Sequence, residues 1–350
     1  MSELATQRIA LTFESAGETI IGRREHNEDA LLVRTDLDLY LLADGAGGHN
    51  AGNVASALAT TAIAHYFEET ATDALHSPER DELGLYATGR RLACAVQQAN
   101  REVIEVAKTN DRYRGMGTTV VVAAVEQARG NLHVAHVGDS RCYRLRRGQF
   151  ELLTKDHSLI NDVLEMRPDI GPSHAARLPR SVITSALGMG ETVRVSVGTH
   201  KVLPGDRYLL CSDGLTDTLE DDLICDAMMI TPAPEEQIRI LLELATDVGA
   251  MDNVAAIVVH ANRAPGASEP PRRVPNLTRP KRKATQEAYP ADHSFPEIVI
   301  LDEIEDDDGF PQIHVVPTDA ADLVSFDAIH GVSHRSKTPE GGEGGEGGEA

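Results

Sequence analysis

Aspartate residues recur at the ends of short apolar runs along this chain. Five of them lie at the ends of predicted strands, and three of these have glycine beside them. The five are Asp29, Asp44, Asp139, Asp213 and Asp252. Carboxylates brought together in this way are the oxygen ligands that hard divalent cations prefer. Because the sequence shows no Cys or His cluster, the set favours Mg²⁺, Mn²⁺ or Ca²⁺ over zinc.

The first two of these aspartates are predicted to face each other. Residues 35–38 (TDLD) form a four-residue loop between two apolar runs, which predicts a β-hairpin with Arg34 opposite Leu39. Asp29 then lies directly opposite Asp44, with Cβ atoms roughly 4.5–5.5 Å apart. Like charges at this distance destabilise a hairpin. A bound divalent cation would remove the penalty.

A glycine-rich segment, DGAGGHNAG, follows the second strand at residues 44–52. Glycines let the backbone approach a ligand closely and let carbonyl oxygens point at a cation. A tight turn from a strand into a helix explains the same composition. The segment does not match a phosphate-binding P-loop, because no Gly-Lys-Ser/Thr follows.

The elements that must position these residues indicate one α+β domain. Short β-branched runs predict strands, punctuated by Gly, Asp and Asn, at 30–34, 39–43, 118–125, 131–137, 141–145, 149–153, 182–186, 193–198, 207–211 and 254–260. Helical periodicity predicts helices at about 51–69, 84–108, 219–229 and 234–248. Many antiparallel strands with grouped helices favour a central antiparallel β-sandwich flanked by helices.

Composition changes near residue 262. Ten of the 17 prolines lie in residues 265–350, together with a basic cluster at 279–283 and an acidic run at 302–308. Such a segment buries too little apolar surface to offset chain entropy, so residues 263–350 are predicted to be a disordered tail beyond a domain at 1–262. Two apolar islands, 298–301 and 313–316, are candidates for docking on a partner or on the domain itself.

Net charge and cysteine content limit the possible partners. The formal net charge of −22 argues against nucleic acid and against an anionic membrane surface. No secretory signal or membrane-spanning run is visible. The four cysteines show no framework spacing, which favours reduced, mostly buried thiols. These features predict a soluble, cytoplasmic protein.

Eight short motifs follow one another between residues 24 and 253. They are RxxNEDA (24–30), ADGxGGH (43–49), MGTT (116–119), VGDSR (137–141), TxDHS (154–158), ITxALG (183–188), SDGLxD (212–217) and DN (252–253). In this order they resemble the bacterial metal-dependent Ser/Thr protein phosphatases of the PPM (2C) type. The resemblance covers nearly all of residues 20–260 and leaves out the tail.

The resemblance implies two divalent cations, Mn²⁺ or Mg²⁺, with a third in bacterial relatives. Asp44 would bridge two of them, and Gly45 would offer its backbone carbonyl. Asp29 would serve one cation, with Glu28 acting directly or through a water molecule. Asp213 would serve the other. In this mechanism a hydroxide ionised by the two cations attacks the phosphorus in line, opposite the Ser or Thr oxygen.

The remaining roles also follow from the resemblance. Asp252 would join Asp213 on its cation, and Asp139 would hold the weaker third cation. Arg24 would bind the substrate phosphate through its planar fork. The leaving group needs an acid, which is either His49 or a cation-bound water; His49 could instead orient a ligand or cap the following helix. Residues 165–181 are expected to form a flap over the site.

The function predicted in this way is dephosphorylation of phosphoserine and phosphothreonine proteins, in opposition to a cognate Ser/Thr kinase. Two alternatives stay open from the residues alone. One is a phosphoprotein-binding or scaffold protein that keeps the metal site but has little turnover. The other is a generic calcium-binding module, which would prefer Ca²⁺ and lack phosphatase activity.

Overall fold

Two antiparallel sheets pack face to face and carry helices on their outer faces. The computed structural model describes residues 10–46, 51–71, 80–81, 84–171, 174, 177–179, 182–230, 233–265, 298–299 and 313–315. The strands are β1 (Leu11–Ile20), β2 (Asp29–Arg34), β3 (Leu39–Ala46), β4 (Gly117–Thr118), β5 (Val120–Glu126), β6 (Asn131–Val137), β7 (Arg141–Arg146), β8 (Gln149–Leu152), β9 (Val195–Lys201), β10 (Arg207–Cys211), β11 (Val254–Arg263), β12 (Ile298–Val299) and β13 (Ile313–Val315). The helices are α1 (Gly52–Glu69), α2 (Ala87–Thr109), α3 (Leu159–Met166), α4 (Asp213–Thr216), α5 (Asp221–Ile230) and α6 (Pro234–Val248).

The two sheets have different strand orders. The first runs β1-β11-β10-β7-β8, and the second runs β12-β13-β9-β6-β5-β3-β2, with β4 paired to β3. Every recorded pairing is antiparallel. The predicted sandwich class is therefore confirmed.

Three apolar clusters hold the layers together. The first lies between the second sheet and the helices α1 and α2, and the second lies between the first sheet and the helices α4 to α6. The third joins the facing sides of both sheets, with buried residues such as Tyr40 and Leu42 from β3 and Leu210 and Ile257 from the other sheet. Since both faces of the central strands are covered, β3, β5 and β10 are apolar on both sides rather than alternating.

Two parts of the predicted strand set were wrong. Residues 182–186 form no strand; Ile183 makes a single bridge to Ser158, and Leu187 makes one to Thr118. Because these partners belong to separate segments, no continuous ladder can form. The strand β1 was not predicted, although it pairs with β11 over its whole length.

The predicted tail contributes two short strands to the second sheet. β13 pairs with the edge of β9, with Ile313 opposite Val197, and β12 pairs with β13. Both strands coincide with the apolar islands of the sequence, which are rich in the β-branched residues that favour strands. The rest of 266–350 lies outside the described residues.

The cysteine thiols are all unpaired. Cys142 and Cys211 are buried, whereas Cys94 is exposed and Cys225 is partly buried. The expected reduced state fits, but only two of the four thiols are fully buried. Within the described part of the chain, no helix has the length and apolarity needed to cross a membrane.

Candidate metal centre

The β2–β3 hairpin places two aspartates side by side. Arg34 lies opposite Leu39 and Asp29 lies opposite Asp44, which is the register predicted from the loop length. Past this pair, the Gly45 amide donates a hydrogen bond to the backbone carbonyl of Glu28 at 3.2 Å. The hairpin therefore ends with its two carboxylates held at one edge of the sheet.

Glu28 lies at the N-terminus of α1, beside two glycines in close contact. A Cβ atom on Gly45 would lie 2.2 Å from the Gly52 carbonyl oxygen, and one on Gly52 would lie 2.7 Å from Oε2 of Glu28. The Gly52 amide donates to the Glu28 carboxylate, and the Ser56 hydroxyl donates to the Glu28 carbonyl at 2.6 Å. The small residues in this glycine-rich segment thus let the chain pass within contact distance of the acidic cluster.

The other sheet delivers two more aspartates. β10 ends just before Asp213, and β11 begins just after Asp252; because these neighbours are antiparallel, both aspartates lie at the same edge. A Cβ on Gly214 would lie 3.4 Å from the Asp252 Cβ. Asn253 ties Glu28 to this edge, because its Oδ1 accepts a hydrogen bond from the Glu28 backbone amide at 2.8 Å. The two strands therefore bring acids from distant sequence positions to a common point.

Ser212 connects the two sheets at this edge. Its hydroxyl donates to Oδ2 of Asp29 at 3.0 Å, and it accepts the Ala255 amide at 2.9 Å. Asp29 belongs to the second sheet, whereas Ser212 and Ala255 belong to the first. This bridge holds the hairpin carboxylates against those of β10 and β11.

Asp139 approaches from the end of β6. Its preceding residue, Gly138, packs on Thr119, whose backbone amide donates to the Asp44 carbonyl at 2.8 Å. The hydroxyls of Thr119 and Ser140 are hydrogen-bonded at 2.7 Å. Thr119 therefore contacts the residues on both sides of Asp139, Gly138 and Ser140. Asp139 lies with the other acids of the group.

Burial and mutual repulsion dominate the electrostatics of this group. Burial raises the pKa of Asp29 to about 7, and the charges of Asp213 and Glu28 contribute. Burial and then the neighbouring aspartates raise the pKa of Asp44 and of Asp139 well above the ordinary value. Burial also raises the pKa of Asp213, while its hydrogen bond with Asp44 works in the opposite direction. Either a proton or a cation must lie between these carboxylates.

Three oxygens of the group have no hydrogen-bond partner. They are Oδ1 of Asp29, Asp139 and Asp213, and all three are buried. An unsatisfied buried carboxylate oxygen is costly, and a divalent cation satisfies several of them at once. An all-oxygen donor set of this kind fits Mn²⁺ or Mg²⁺.

The carboxylates are neighbours rather than a finished cage. Among the residues that the structure describes, no three His, Cys, Asp or Glu side chains already form a group that could hold a metal ion. Asp44 and Asp213 are already hydrogen-bonded to each other. Rotations of the other carboxylate side chains would be needed to close the group on a cation.

Two arginines stand beside the acids. Arg24 Nη2 lies 2.5 Å from Oδ2 of Asp252, and the Arg24 side chain is 57% exposed. Arg23 turns the other way, with Nη1 3.7 Å from the sulfur of Met251. Arg24 is thus the cation of the pair that reaches the acidic cluster while remaining open to a ligand from solvent.

The structure brings together most of the residues singled out by sequence. Glu28, Asp29, Asp44, Gly45, Asp139, Asp213, Asp252 and Arg24 share one region, whereas His49 lies outside the described residues. No pattern predicted a supporting role for Ser212, Thr119 or Asn253, because their contacts depend on strand pairing between distant segments. Asp217 was also missed. It follows Asp213 by one helical turn, and its charge raises the pKa of Asp139 and Asp213.

Replacing Asp29 with Asn is expected to flatten the pH dependence of stability in the presence of a chelator. The Asp29 pKa is about 7 in the folded protein against an ordinary 3.8, so between these values the folded state holds a proton that the unfolded chain has released. The contribution of this group to the free energy of unfolding therefore falls as pH rises from 3.8 to about 7, by up to about 1.4 kcal/mol per pH unit. Urea denaturation at about pH 5 and about pH 7 measures the difference. Equal losses of stability in both proteins would contradict the assignment.

Comparisons with known proteins point in one direction. The family model described as Protein phosphatase 2C matches residues 16–241. A putative protein phosphatase 2C-type of Streptococcus pyogenes serotype M6 is 31% identical over 247 residues, covering 69% of this chain and 95% of the relative. The serine/threonine protein phosphatase PstP of Mycobacterium tuberculosis is 35% identical over 255 residues, covering 72% of this chain but 45% of that protein. A crystal structure of the PstP catalytic domain in complex with two manganese ions aligns with TM-score 0.58 at 33% identity, covering 72% of this chain and 99% of that one.

Proposed function

The chain belongs to the protein phosphatase 2C family of metal-dependent serine/threonine protein phosphatases, and we propose that its acidic cluster is the catalytic metal centre. Asp44 would be shared by two cations, Mn²⁺ or Mg²⁺. Asp29 and Asp213 would each complete one of the two positions. The observation that carries this proposal is the set of unpartnered buried carboxylate oxygens at the meeting point of the two sheets.

The remaining ligands are assigned by position. Asp252 would join Asp213, and Glu28 would support Asp29 directly or through water. Gly45 would contribute its backbone carbonyl, and the close approach of Gly45 and Glu28 to Gly52 supports this assignment. Asp139 would hold a third, weaker cation next to Asp213, whose charge already raises the pKa of Asp139.

The chain's own residues would organise the substrate around this centre. When bound, divalent cations of this kind supply Lewis acidity, which ionises a water molecule and offsets the charge of a phosphate group. Arg24 would bind the phosphate oxygens with its planar fork, since its guanidinium already borders the cluster. His49 remains our candidate for protonating the Ser or Thr oxygen as it leaves.

Charge explains why the centre must be loaded before it can bind substrate. Without cations, six acidic side chains would repel a phosphomonoester dianion, and the whole chain carries −22. Two or three divalent cations would offset most or all of this negative charge. We therefore propose phosphoserine and phosphothreonine proteins as substrates, with a cognate Ser/Thr kinase as the opposing enzyme.

The setting of the enzyme is also a proposal. Four unpaired thiols are typical of a protein in a reducing compartment, so we propose that the protein lies in the cytoplasm. We assign catalysis to residues 1–262, because β11, the last strand before the tail, ends at Arg263. Residues 263–350 would form a tail that docks a partner or the domain, consistent with the pairing of β13 to β9.

Hydrolysis of a phosphothreonine peptide tests the proposed function. We expect release of phosphate to rise with added Mn²⁺ or Mg²⁺, to stop with a chelator and to return when the cation is restored. Ca²⁺ in place of Mn²⁺ separates this function from a calcium-binding module, which would bind Ca²⁺ and release no phosphate. Turnover that a chelator leaves unchanged would overturn the metal mechanism, and tight phosphopeptide binding without turnover would favour a scaffold.

A further inference from the structure

His157 holds the backbone next to Asp139 at two points. The Gly138 amide donates to Nδ1 of His157 at 3.2 Å, and the His157 amide donates to the Gly138 carbonyl at 2.9 Å. On its other side, Nε2 of the ring lies 2.8 Å from the hydroxyl of Ser196 on β9. His157 is 2% exposed. The ring therefore spans from the middle of a sheet to the residue that precedes Asp139.

These contacts fix the tautomer of the ring. A backbone amide can only donate, so Nδ1 of His157 accepts and carries no proton. The proton of the neutral ring is then on Nε2, which donates to Ser196. His136 packs against the ring with centroids 4.7 Å apart, and its own Nε2 contacts the Lys155 carbonyl at 2.8 Å. In both buried rings, Nε2 is therefore the nitrogen that carries the proton and donates the hydrogen bond.

Gly138 packs closely on Thr119 in a backbone conformation that favours glycine. Its φ is +100°, and a Cβ at this position would lie 2.6 Å from Cγ2 of Thr119. Thr119 in turn is hydrogen-bonded to Ser140, the residue after Asp139. The three-residue segment 138–140 is therefore clamped by His157 at one end and by Thr119 at the other.

Asp139 itself depends on this clamp for its direction. Its Oδ1 is buried and has no hydrogen-bond partner, so no protein donor holds that oxygen in place. The orientation of the Asp139 carboxylate is then set by the backbone conformation of residues 138–140.

We propose that His157 is a positioning residue for Asp139, and that its acceptor Nδ1 sets how tightly the cation held by Asp139 binds. This inference rests on the proposed function, since it takes Asp139 as a cation ligand. His157 belongs to the TxDHS motif, to which no role at the site was assigned from the sequence. The contacts give its histidine a role in cation affinity at the neighbouring β6 terminus.

Two substitutions separate the roles of the two ring nitrogens. In His157→Asn, the amide oxygen can take the position of Nδ1 and accept from Gly138, while the contact with Ser196 is lost. In His157→Gln, the amide nitrogen can take the position of Nε2 and reach Ser196, while the acceptor for Gly138 is lost. Ser196→Ala removes the Nε2 partner alone, and Asp139→Asn removes the ligand.

Mn²⁺ titration of the full chain, followed by electron paramagnetic resonance of the free ion, measures binding without relying on activity. We expect His157→Gln to weaken the weakest class of Mn²⁺ sites about tenfold and to leave the tighter class unchanged. His157→Asn and Ser196→Ala are expected to stay within about twofold of the unsubstituted protein, since both keep the Gly138 contact. Circular dichroism in chelator checks that every variant is folded.

Each outcome decides a different claim. If Asp139→Asn abolishes the weakest class but His157→Gln leaves it intact, the positioning role is wrong and the ligand assignment stands. If His157→Asn and His157→Gln weaken every class equally, His157 has only a general structural role and the inference fails. If Asp139→Asn leaves all classes unchanged, the ligand assignment of Asp139 fails, and the inference fails with it.

Discussion

An Asp44→Asn protein is expected to hydrolyse a phosphothreonine peptide at least about 10³-fold more slowly than the unsubstituted protein, measured as kcat at saturating Mn²⁺. Asp44 lies opposite Asp29 and is hydrogen-bonded to Asp213, and we propose it as the carboxylate that serves two cations at once. An uncharged amide at this place is a weaker ligand for hard cations. Asp213→Asn should act in the same direction.

Stability distinguishes loss of a ligand from loss of the fold. Burial and neighbouring charges raise the pKa of Asp44, which means that its ionised form is unfavourable in the folded state. In chelator, Asp44→Asn should therefore melt at the same temperature as the unsubstituted protein or at a higher one. A matched control is Asp36→Asn in the hairpin loop, where the side chain is 62% exposed and paired with Arg34. Near-normal kcat in Asp44→Asn, or an equal loss in Asp36→Asn, would refute the assignment.

Arg24→Ala is expected to reduce kcat/KM for the same peptide about 10²-fold, which corresponds to about 2.7 kcal/mol of lost transition-state binding. The guanidinium lies 2.5 Å from Asp252 and the Arg24 side chain is more than half exposed, so it can turn to a phosphate without breaking a buried contact. Lysine keeps the charge but not the bidentate fork, and Arg24→Lys should recover only part of the loss.

The neighbouring arginine supplies the control for this prediction. Arg23 carries the same charge one residue away, but its guanidinium contacts the sulfur of Met251 rather than an acid of the cluster. Arg23→Ala should change kcat/KM by less than about threefold, through long-range charge alone. Equal losses in the two alanine variants would mean that Arg24 acts by its charge at a distance and not by contact with phosphate.

Local patterns predicted the parts of the site that a single hairpin or strand end determines. The register of Asp29 and Asp44 followed from a four-residue loop, because loop length fixes which residues pair. Asp213 and Asp252 were found because each adjoins a short apolar run whose direction in an antiparallel sheet places it at an edge. The hairpin register and the place of each aspartate at the end of its own strand depend on residues close in sequence.

Long-range pairing determined what the patterns missed. β1 reads LTFESAGETI, in which glutamates and a glycine interrupt the apolar run, so its strand character depends on pairing with β11. The hydroxyl of Ser212 finds Asp29 only because two sheets meet at that point. Residues 182–186 show the converse, since a β-branched run without a continuous partner forms only an isolated bridge.

The length of the β2–β3 loop determines which residues pair at the far end of the hairpin, where Asp29 lies opposite Asp44. Five residue steps separate Arg34 from Asp29, or about 17 Å along an extended strand. A one-residue addition or deletion within 35–38 that shifted the pairing by one position would send every side chain of the shifted strand to the opposite face. A surface turn that touches no ligand would thus decide whether the acids meet. Natural variants of this loop should differ in length only by numbers of residues that keep Asp29 opposite Asp44.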